Sequence, residues 1–384
     1  TTPEAAQFFL QPDLEPLPDP KTEFTDLPAA LDLLSQAIIT RQKIAICGDY
    51  DADGMTSTAL LLRALRGLGA VVDYAIPSRM QEGYGINQRI VEDFHREGVG
   101  VILTVDNGIA AHGPIQRARE LGLVVIVTDH HDVPPQVPNA NVILNPKLIR
   151  EDSPYRGLAG VGVAYLLALE LAQTPPMCES LKNSAFSSSP QQPHNLEDTL
   201  LALFTLGTIA DLAPLTGVNR RWVRRGLDLL PQSQIEGVKA LIQVAGLSGT
   251  QKALKPEAIG FRLGPRINAV GRIADPQIVI ELLTTDDPGY ALERAMQCEQ
   301  VNQDRQAKCR QIEEEAIAWV ETHQPNLLQE RVLVVVHPHW HHGVIGIVAS
   351  RLVERYGVPV FIGTYEDEAQ HHIRGSARGI PEFN

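Results

Sequence analysis

Three short apolar runs, K-I-A-I-C at 43 to 47, V-I-L-T-V at 101 to 105 and V-V-I-V-T at 124 to 128, each lead straight into a cluster of acidic or imidazole residues. Short apolar runs closed by turn residues read as strands buried on both faces, the pattern of a parallel sheet covered by helices. The clusters are G-D-Y-D-A-D-G at 48 to 54, V-D-N-G at 105 to 108 and D-H-H at 129 to 131, and a fourth, A-D, stands at 210 to 211. An open α/β sheet places its chemistry at the carboxyl ends of its strands. A chain with acids at three such ends is predicted to be an enzyme.

Strand and helix patterns alternate from Leu31 onward, through T-S-T-A-L-L-L-R-A-L-R-G-L-G, V-V-D-Y-A-I, I-V-E-D-F-H-R-E and I-Q-R-A-R-E-L. The predicted fold class is α/β, with a doubly wound, mostly parallel sheet domain joined by a long helix to a second, smaller α/β domain. The expected divisions are an N-terminal arm at 1–30, a catalytic domain at 31–285, a connecting helix at 286–325 and a small domain at 326–384. The arm is rich in Pro and acids and carries no sustained period, so it is expected to pack on the surface or fray. Residues 173–196, with T-P-P and S-S-S-P-Q-Q-P, read as a flexible insertion without chemistry. A helix of ~30 residues spans ~45 Å and can hold two domains apart across a cleft. The small unit reaches Asn384 without a closing strand or helix, so the sequence reads as a fragment of something longer.

The chain has 384 residues and a net charge of −13, which speaks against indiscriminate binding of nucleic acid over the whole surface. A local basic groove remains compatible with it. R-R-W-V-R-R at 220 to 225 reads equally well as a solvated helix face or a DNA contact. No apolar run reaches membrane-span length and no signal-peptide pattern opens the chain, so no membrane and a cytoplasmic address are expected. Cys47, Cys178, Cys298 and Cys309 lack C-x-x-C spacing and are expected to be free thiols.

Asp49 and Asp51 are two apart at a strand end, so in extended backbone their carboxylates leave on one side and reach adjacent metals. The turn at Gly54 leaves the direction of Asp53 open. Carboxylates with imidazole and no thiolate favour Mn²⁺ or Mg²⁺ over structural zinc. Two ions ~3.5 to 4 Å apart can acidify a water and steady both the attacking and the leaving oxygen of a phosphoryl centre. A carboxylate must bridge charges held that close, and Asp106 is the candidate. One Asp at a strand end is more often the N-cap of the next helix; four such clusters in one sheet point to a metal site.

The series D-Y-D-A-D-G, V-D-N-G, D-H-H and T-I-A-D-L-A-P-L, in this order, resembles the DHH phosphoesterase superfamily, in the version of the RecJ family of single-strand-specific 5′ to 3′ exonucleases. P-S-R-M-Q-E-G-Y-G, L-A-G-V-G-V-A-Y, R-L-G-P-R-I-N-A-V-G-R, G-V-I-G-I-V-A-S-R-L and R-G-S-A-R extend the likeness nearly end to end. The resemblance implies Asp49, Asp51, Asp106, His130 and Asp211 as ligands of two Mn²⁺ or Mg²⁺ ions, with Asp106, His130 and His131 at the catalytic centre. Asp53 and Asp129 would stand behind the ligands, Asp129 orienting imidazole. Arg79, Ser376 and Arg378 would capture a 5′-phosphate, Arg266, Asn268 and Arg272 would line the path of the strand, and His341 would touch the backbone near the scissile bond. An alternative for each arginine is a salt bridge between domains, and for the four-histidine cluster around His341 a stray metal.

The implied activity is hydrolysis of single-stranded DNA to nucleoside 5′-monophosphates in repair and recombination. Implied partners are single-stranded DNA, single-strand-binding protein and a RecQ-type helicase, and a monomer is the default. The sequence departs from the family pattern at His342, where proline is usual, at Gly379, where serine is usual, and in the longer insertion at 173–196. The family continues into an OB-type domain that grips single strands. Three rival readings exist: a DHH phosphodiesterase on oligoribonucleotides or cyclic dinucleotides, a non-catalytic replication scaffold, and a dehydrogenase. The long helix and R-L-G-P-R-I-N oppose the first, the retained carboxylates the second, and the lack of a strand-borne G-x-G-x-x-G the third.

Overall fold

The computed structural model describes all residues except 1, 15, 80–81, 176, 179–195, 250–252, 325, 367–371 and 381–384. Most of the predicted insertion at 173–196 therefore lies outside the described residues. The chain divides into two compact units, Thr1–Gly271 with Asp275–Cys298, and Arg272–Ala274 with Glu299–Asn384.

The N-terminal segment is more ordered than its composition suggests. It forms a short helix, α1 (Pro3–Leu10), before α2 (Leu27–Ile39) leads into the sheet. The larger unit then runs β1 (Lys43–Cys47), α3 (Ala52–Gly67), β2 (Val72–Ala75), α4 (Gln88–Arg96), β3 (Val99–Val105), α5 (His112–Glu120), β4 (Val124–Thr128) and β5 (Val142–Leu144). All pairings are parallel, in the order β2-β1-β3-β4-β5. In this doubly wound order the chain reverses its winding between β1 and β3, and the crevice outside the strand ends at that point is where such sheets bind ligands. The apolar runs read from the sequence are these strands; the three-residue β5 was too short to announce itself.

One sheet face is closed by α4 and α5, whose Ile90, Val91, Phe94, Ile115 and Ala118 pack on Ala45, Ile102 and Val125. The other carries α2, α3 and α6 (Gly160–Gln173), with α7 (Leu196–Ala210) outside them against α3 and α6. Helix α3 is buried almost throughout, although its first half is polar. Its hydroxyls are satisfied internally: Thr56 Oγ1 donates to Ala52 O at 2.7 Å, Ser57 Oγ to Asp53 O at 2.7 Å and Thr58 Oγ1 to Gly54 O at 2.8 Å. Back-bonded hydroxyls place no unpaired group in the core. Gly207 permits the close approach of α7, since a Cβ there would lie 2.3 Å from Thr56 Oγ1.

Helix α8 (Gly217–Leu229) carries the basic run, and its arginines are engaged within the chain rather than left as a free face. Arg220 lies over the Phe9 ring at 3.6 Å and its Nε donates to Phe9 O at 2.7 Å. Arg224 donates to Leu10 O, Arg221 pairs with Asp13, and Arg225 pairs with Glu197 and Asp198. Trp222 joins Tyr155, Tyr165 and Phe204 in an aromatic cluster. Acids and carbonyls brought from elsewhere in the chain meet the charges of this helix, while Arg224 and Arg225 stay exposed to solvent.

Beyond α9 (Gly264–Ile273), the helix α10 (Pro288–His323) is continuous for 36 residues. Its start lies two residues beyond the expected Asp286, with proline in the first turn, where a missing N–H costs nothing. In the smaller unit β6 (Leu333–Val336) pairs in parallel with β7 (Val360–Tyr365), and β7 pairs antiparallel with β8 (Ile373–Arg378). Its core joins Leu333, Val335, Val360 and Ile362 to Val344, Val348 and Leu352 of α11 (His342–Tyr356) and to Ile312, Ala316 and Val320.

Candidate metal centre

The carboxyl ends of β1, β3 and β4 and the end of α7 deliver eight acidic or imidazole side chains to one place. Asp49, Asp51 and Asp106 offer oxygens all within 4.8 Å of one another. The same spacing unites Asp106, His130 and His131, and again Asp53, His130 and Asp211. The three groups overlap through Asp106 and His130, so the donors form one continuous array.

The route to this array departs from simple strand alternation. Asp49 stands two residues past the last strand residue, Cys47, but Asp51 is already the N-cap of α3, its side chain accepting from Gly54 N at 3.0 Å. Ala52 N is held by Asn268 Oδ1 at 2.9 Å, so Asn268 serves the first motif directly. Asp53, inside the first turn, is 1% exposed and accepts from Gly160 N at 2.7 Å and Val161 N at 2.9 Å. The start of α6 thus aims its free N–H groups at a carboxylate. Only glycine fits at 160, because a Cβ would lie 2.8 Å from Asp106 Cβ. Asp53 Oδ2 also lies 3.5 Å from His130 Nε2, close enough to belong with the donors themselves.

Asp106 sits at φ 60, the left-handed region that asparagine and aspartate tolerate best among side-chain-bearing residues. Tyr84 donates its hydroxyl to Asp106 O at 2.6 Å and stands 3.2 Å from His131 Nδ1. Asn107 is fully buried: Nδ2 donates to Cys47 O at 3.0 Å and to Val105 O at 2.9 Å, and Oδ1 accepts from Ile86 N at 3.0 Å. Behind the histidines, Asp129 accepts from Ile109 N at 2.8 Å, His130 N at 2.7 Å, His131 N at 3.1 Å and His131 Nδ1 at 2.8 Å. Tyr84 and Asn107 were not singled out from the sequence. Their signal lay within motifs already quoted, as an aromatic residue between two glycines and an amide beside a strand-end acid.

The electrostatics favour cations. Burial, and then the charge of Asp51, pushes the Asp49 carboxyl up to about 8. Burial and neighbouring carboxylates hold Asp53 and Asp106 well above the usual carboxylate range, and burial with Asp51 lifts Asp211 to about 6. Burial and the adjacent His131 push His130 down to about 4, leaving it a neutral donor. Burial would raise Asp129 as well, but its bonds from His131 and from backbone N–H groups outweigh that and leave it lowered, while His131 is raised chiefly by the same Asp129 bond. Oδ1 of Asp49 is buried without a hydrogen-bond donor. Oδ1 of Asp106 likewise has none aligned to it, although His130 Nε2 lies 3.0 Å away. Buried oxygens left bare in a repelling set are what divalent cations satisfy, and an oxygen and imidazole donor set without thiolate suits Mn²⁺ or Mg²⁺.

Arg79 stacks on the Tyr50 ring at 4.3 Å and its charge reaches Asp49. Arg266 donates to Arg262 O. The remaining predicted residues belong to the smaller unit. Arg272 lies 3.5 Å from Gly343 O, and His341 caps α11 by accepting from Gly343 N at 3.1 Å. A Cβ on Gly346 would lie 3.1 Å from Ser376 Oγ and 3.3 Å from Arg378 Nη2, so both side chains crowd α11 near its start. His342 meets Arg374 at 3.2 Å.

Residues 43–208 match the model of the DHH family, N-terminal domain. The chain is 39% identical to the single-stranded-DNA-specific exonuclease RecJ of Bacillus subtilis (strain 168), covering 100% of this chain and 45% of that protein. It is 37% identical to the RecJ of Escherichia coli (strain K12), covering 94% of this chain and 61% of that protein. The chain therefore spans about half the length of these curated relatives. A crystal structure of exonuclease RecJ bound to manganese superposes with a TM-score of 0.75 at 33% identity, covering 93% of this chain and 83% of the other. With the motif array, the parallel sheet and this extent of likeness in agreement, the chain belongs to the RecJ family of DHH proteins.

Proposed function

We propose that this protein is a metal-dependent exonuclease that degrades single-stranded DNA from its 5′ end to nucleoside 5′-monophosphates. The observation that carries the reading is the array of Asp49, Asp51, Asp53, Asp106, His130, His131 and Asp211, with bare buried oxygens on Asp49 and Asp106. The named activity of the relatives and the manganese in the related crystal structure support it.

Asp49, Asp51, Asp106, His130 and Asp211 would hold two Mn²⁺ or Mg²⁺ ions, with Asp53 close enough to share in the set. Such ions, when bound, acidify a water and polarise a phosphoryl oxygen. Hydrolysis adds water across the P–O3′ bond of the first linkage. The water oxygen goes to phosphorus, and the 3′ oxygen takes a proton and leaves on the first nucleotide. The shortened strand keeps a 5′-phosphate, ready for the next cycle. The chain's part is orientation: Asp129 fixes the His131 ring through Nδ1, and Asp53 is locked by the start of α6. Half-exposed His131 faces the substrate. We assign Arg79 and Arg266 to phosphates along the strand, Ser376 and Arg378 to the 5′-phosphate, and Arg272 and His341 to the backbone near it, since arginine offers a forked donor and serine one more. Asn268 acts instead by holding Ala52.

Among the described residues no helix is long and apolar enough to cross a membrane. The cysteines are free, which suits a reducing compartment, and we place the protein in the cytoplasm, as a monomer working with single-strand-binding protein and a RecQ-type helicase.

The test is digestion of a 5′-phosphorylated, 3′-labelled single strand with Mn²⁺, beside the same strand annealed and beside Asp106→Ala. A shrinking ladder with mononucleotide release on the single strand, absent in the variant, is expected. Equal digestion of the duplex, or none of either substrate, would refute the reading.

A further inference from the structure

Four described residues other than glycine have positive φ: Arg41, Asp106, Leu212 and Arg331. Leu212, at φ 59, is the apolar one, and it directly follows Asp211. Helix α7 ends there in a Schellman turn, with Leu212 N donating to Ile209 O at 3.1 Å and Ala213 N to Thr208 O at 3.1 Å. Glycine is the usual residue at that place, because a Cβ in the left-handed region crowds the backbone. Leucine there gains nothing from packing, since Leu212 is 85% exposed. Strain and an uncovered large apolar side chain, combined in one residue, mark a place kept for something other than stability.

A second exposed apolar side chain belongs to a turn that packs against the same helix. Phe261, 80% exposed, belongs to a π-helical turn, Ile259–Leu263, of the kind that often marks functional sites. That turn runs into Gly264, where a Cβ would lie 3.2 Å from Ala210 Cβ, two residues before Leu212.

We infer that Leu212, with Phe261 on the turn that packs against the same helix, is the contact for the nucleobases next to the scissile phosphate and helps restrict the site to unpaired strands. The inference rests on the nuclease reading above and deepens it. A phosphate brought to Asp211 carries its own base with it, and the face of any base can lie on an apolar side chain whatever the sequence. In a duplex the second base, on the 3′ side of the scissile phosphate, is covered on both faces by neighbouring pairs, so the contact to that base is available only to a single strand.

The test compares wild type with Leu212→Gly, which removes the side chain and relieves the backbone. The thermal midpoint of the variant is expected to be unchanged or raised by roughly 2 °C, so a folding defect does not enter. Affinity is measured by fluorescence anisotropy in Ca²⁺ for a 5′-phosphorylated, 3′-fluorescein-labelled 12-residue oligothymidylate, and for the same strand with its first two positions abasic. The variant is expected to bind the intact strand about tenfold more weakly and the abasic strand as tightly as wild type does. Equal binding of the intact strand by both proteins overturns the inference, as does an equal loss on the abasic strand. Digestion of the intact strand in Mn²⁺ is followed in parallel. A wild type that leaves it uncut defeats the nuclease reading while the affinity ratios still decide the base contact, and a wild type that binds neither strand defeats both.

Discussion

Asn107 Nδ2 donates to Cys47 O at 3.0 Å, tying the end of β3 to the end of β1 at the point where the sheet reverses its winding. The same amide accepts from Ile86 N, so one buried side chain sets the relation between the first motif, the second motif and the loop that carries Tyr84. Truncation leaves buried backbone groups without partners, each costing ~1 to 3 kcal/mol. Asn107→Ala is expected to lose about 3 kcal/mol of stability by denaturant titration, together with most of its Mn²⁺ affinity. A variant within a few tenths of a kcal/mol of wild type would contradict this role.

Asp106→Asn should separate stability from function. The carboxyl is buried among like charges and sits at positive φ, where asparagine is equally at home. The metal-free variant is expected to melt a few degrees higher, roughly 2 to 4 °C for each kcal/mol of relieved repulsion. It should take up less Mn²⁺ by calorimetry and release no nucleotide. A lower midpoint would show that the Asp106 charge stabilises the metal-free fold.

Raised carboxyl pKa values give the metal-free protein an unusual pH dependence. A carboxyl with a higher pKa when folded than the ordinary 3.8 binds more protons in the folded state, so stability is lost as pH rises through its folded value. Asp49, pushed up to about 8, extends that loss well past neutrality. His130, lowered to about 4 from 6.5, acts in the opposite sense only below its ordinary value. Between pH 6.5 and 8 the carboxyl effect is therefore unopposed, and the melting temperature with chelator present should fall across that window. Mn²⁺ displaces the protons and should flatten the curve. A chelated protein that grows more stable from pH 6.5 to 8 would contradict the assignment.

Helix α8 is predicted to need its N-terminal cover. Arg220 and Arg224 hold Phe9 and Leu10, and Arg221 pairs with Asp13. An exposed cation–π contact is worth ~0.5 to 1 kcal/mol, so deletion of residues 1–17 should lower the midpoint by only a few degrees. The larger effect should be on charge, with the shortened chain retained on heparin to higher salt. Unchanged elution would show that the freed arginines find other acids.

Much of the fold and most of the centre were legible in the sequence. K-I-A-I-C, V-I-L-T-V and V-V-I-V-T are β1, most of β3, and β4, and the acids written after them lie at the crevice. Directions after a turn were not legible. Asp51 and Asp53 follow the strand by a helix start, so their orientation depends on Asn268 and on the first N–H groups of α6, both far away in sequence. The basic run was ambiguous for the same reason, since its partners are main-chain carbonyls and an acid of a segment near the N-terminus together with Glu197 and Asp198.

The sequence by itself determined the alternation of buried strands and covering helices, and the placing of acids and histidines at strand ends, because period and turn chemistry are local properties. Only the tertiary structure decided that Asp211, at the end of a helix outside the sheet-covering layer, joins Asp53 and His130, that Tyr84 and Asn107 brace the second motif, and that Leu212 stands strained and uncovered beside the array. Those relations depend on which helices meet, and the meeting is set by close approaches at Gly160 and Gly207 that no local pattern encodes.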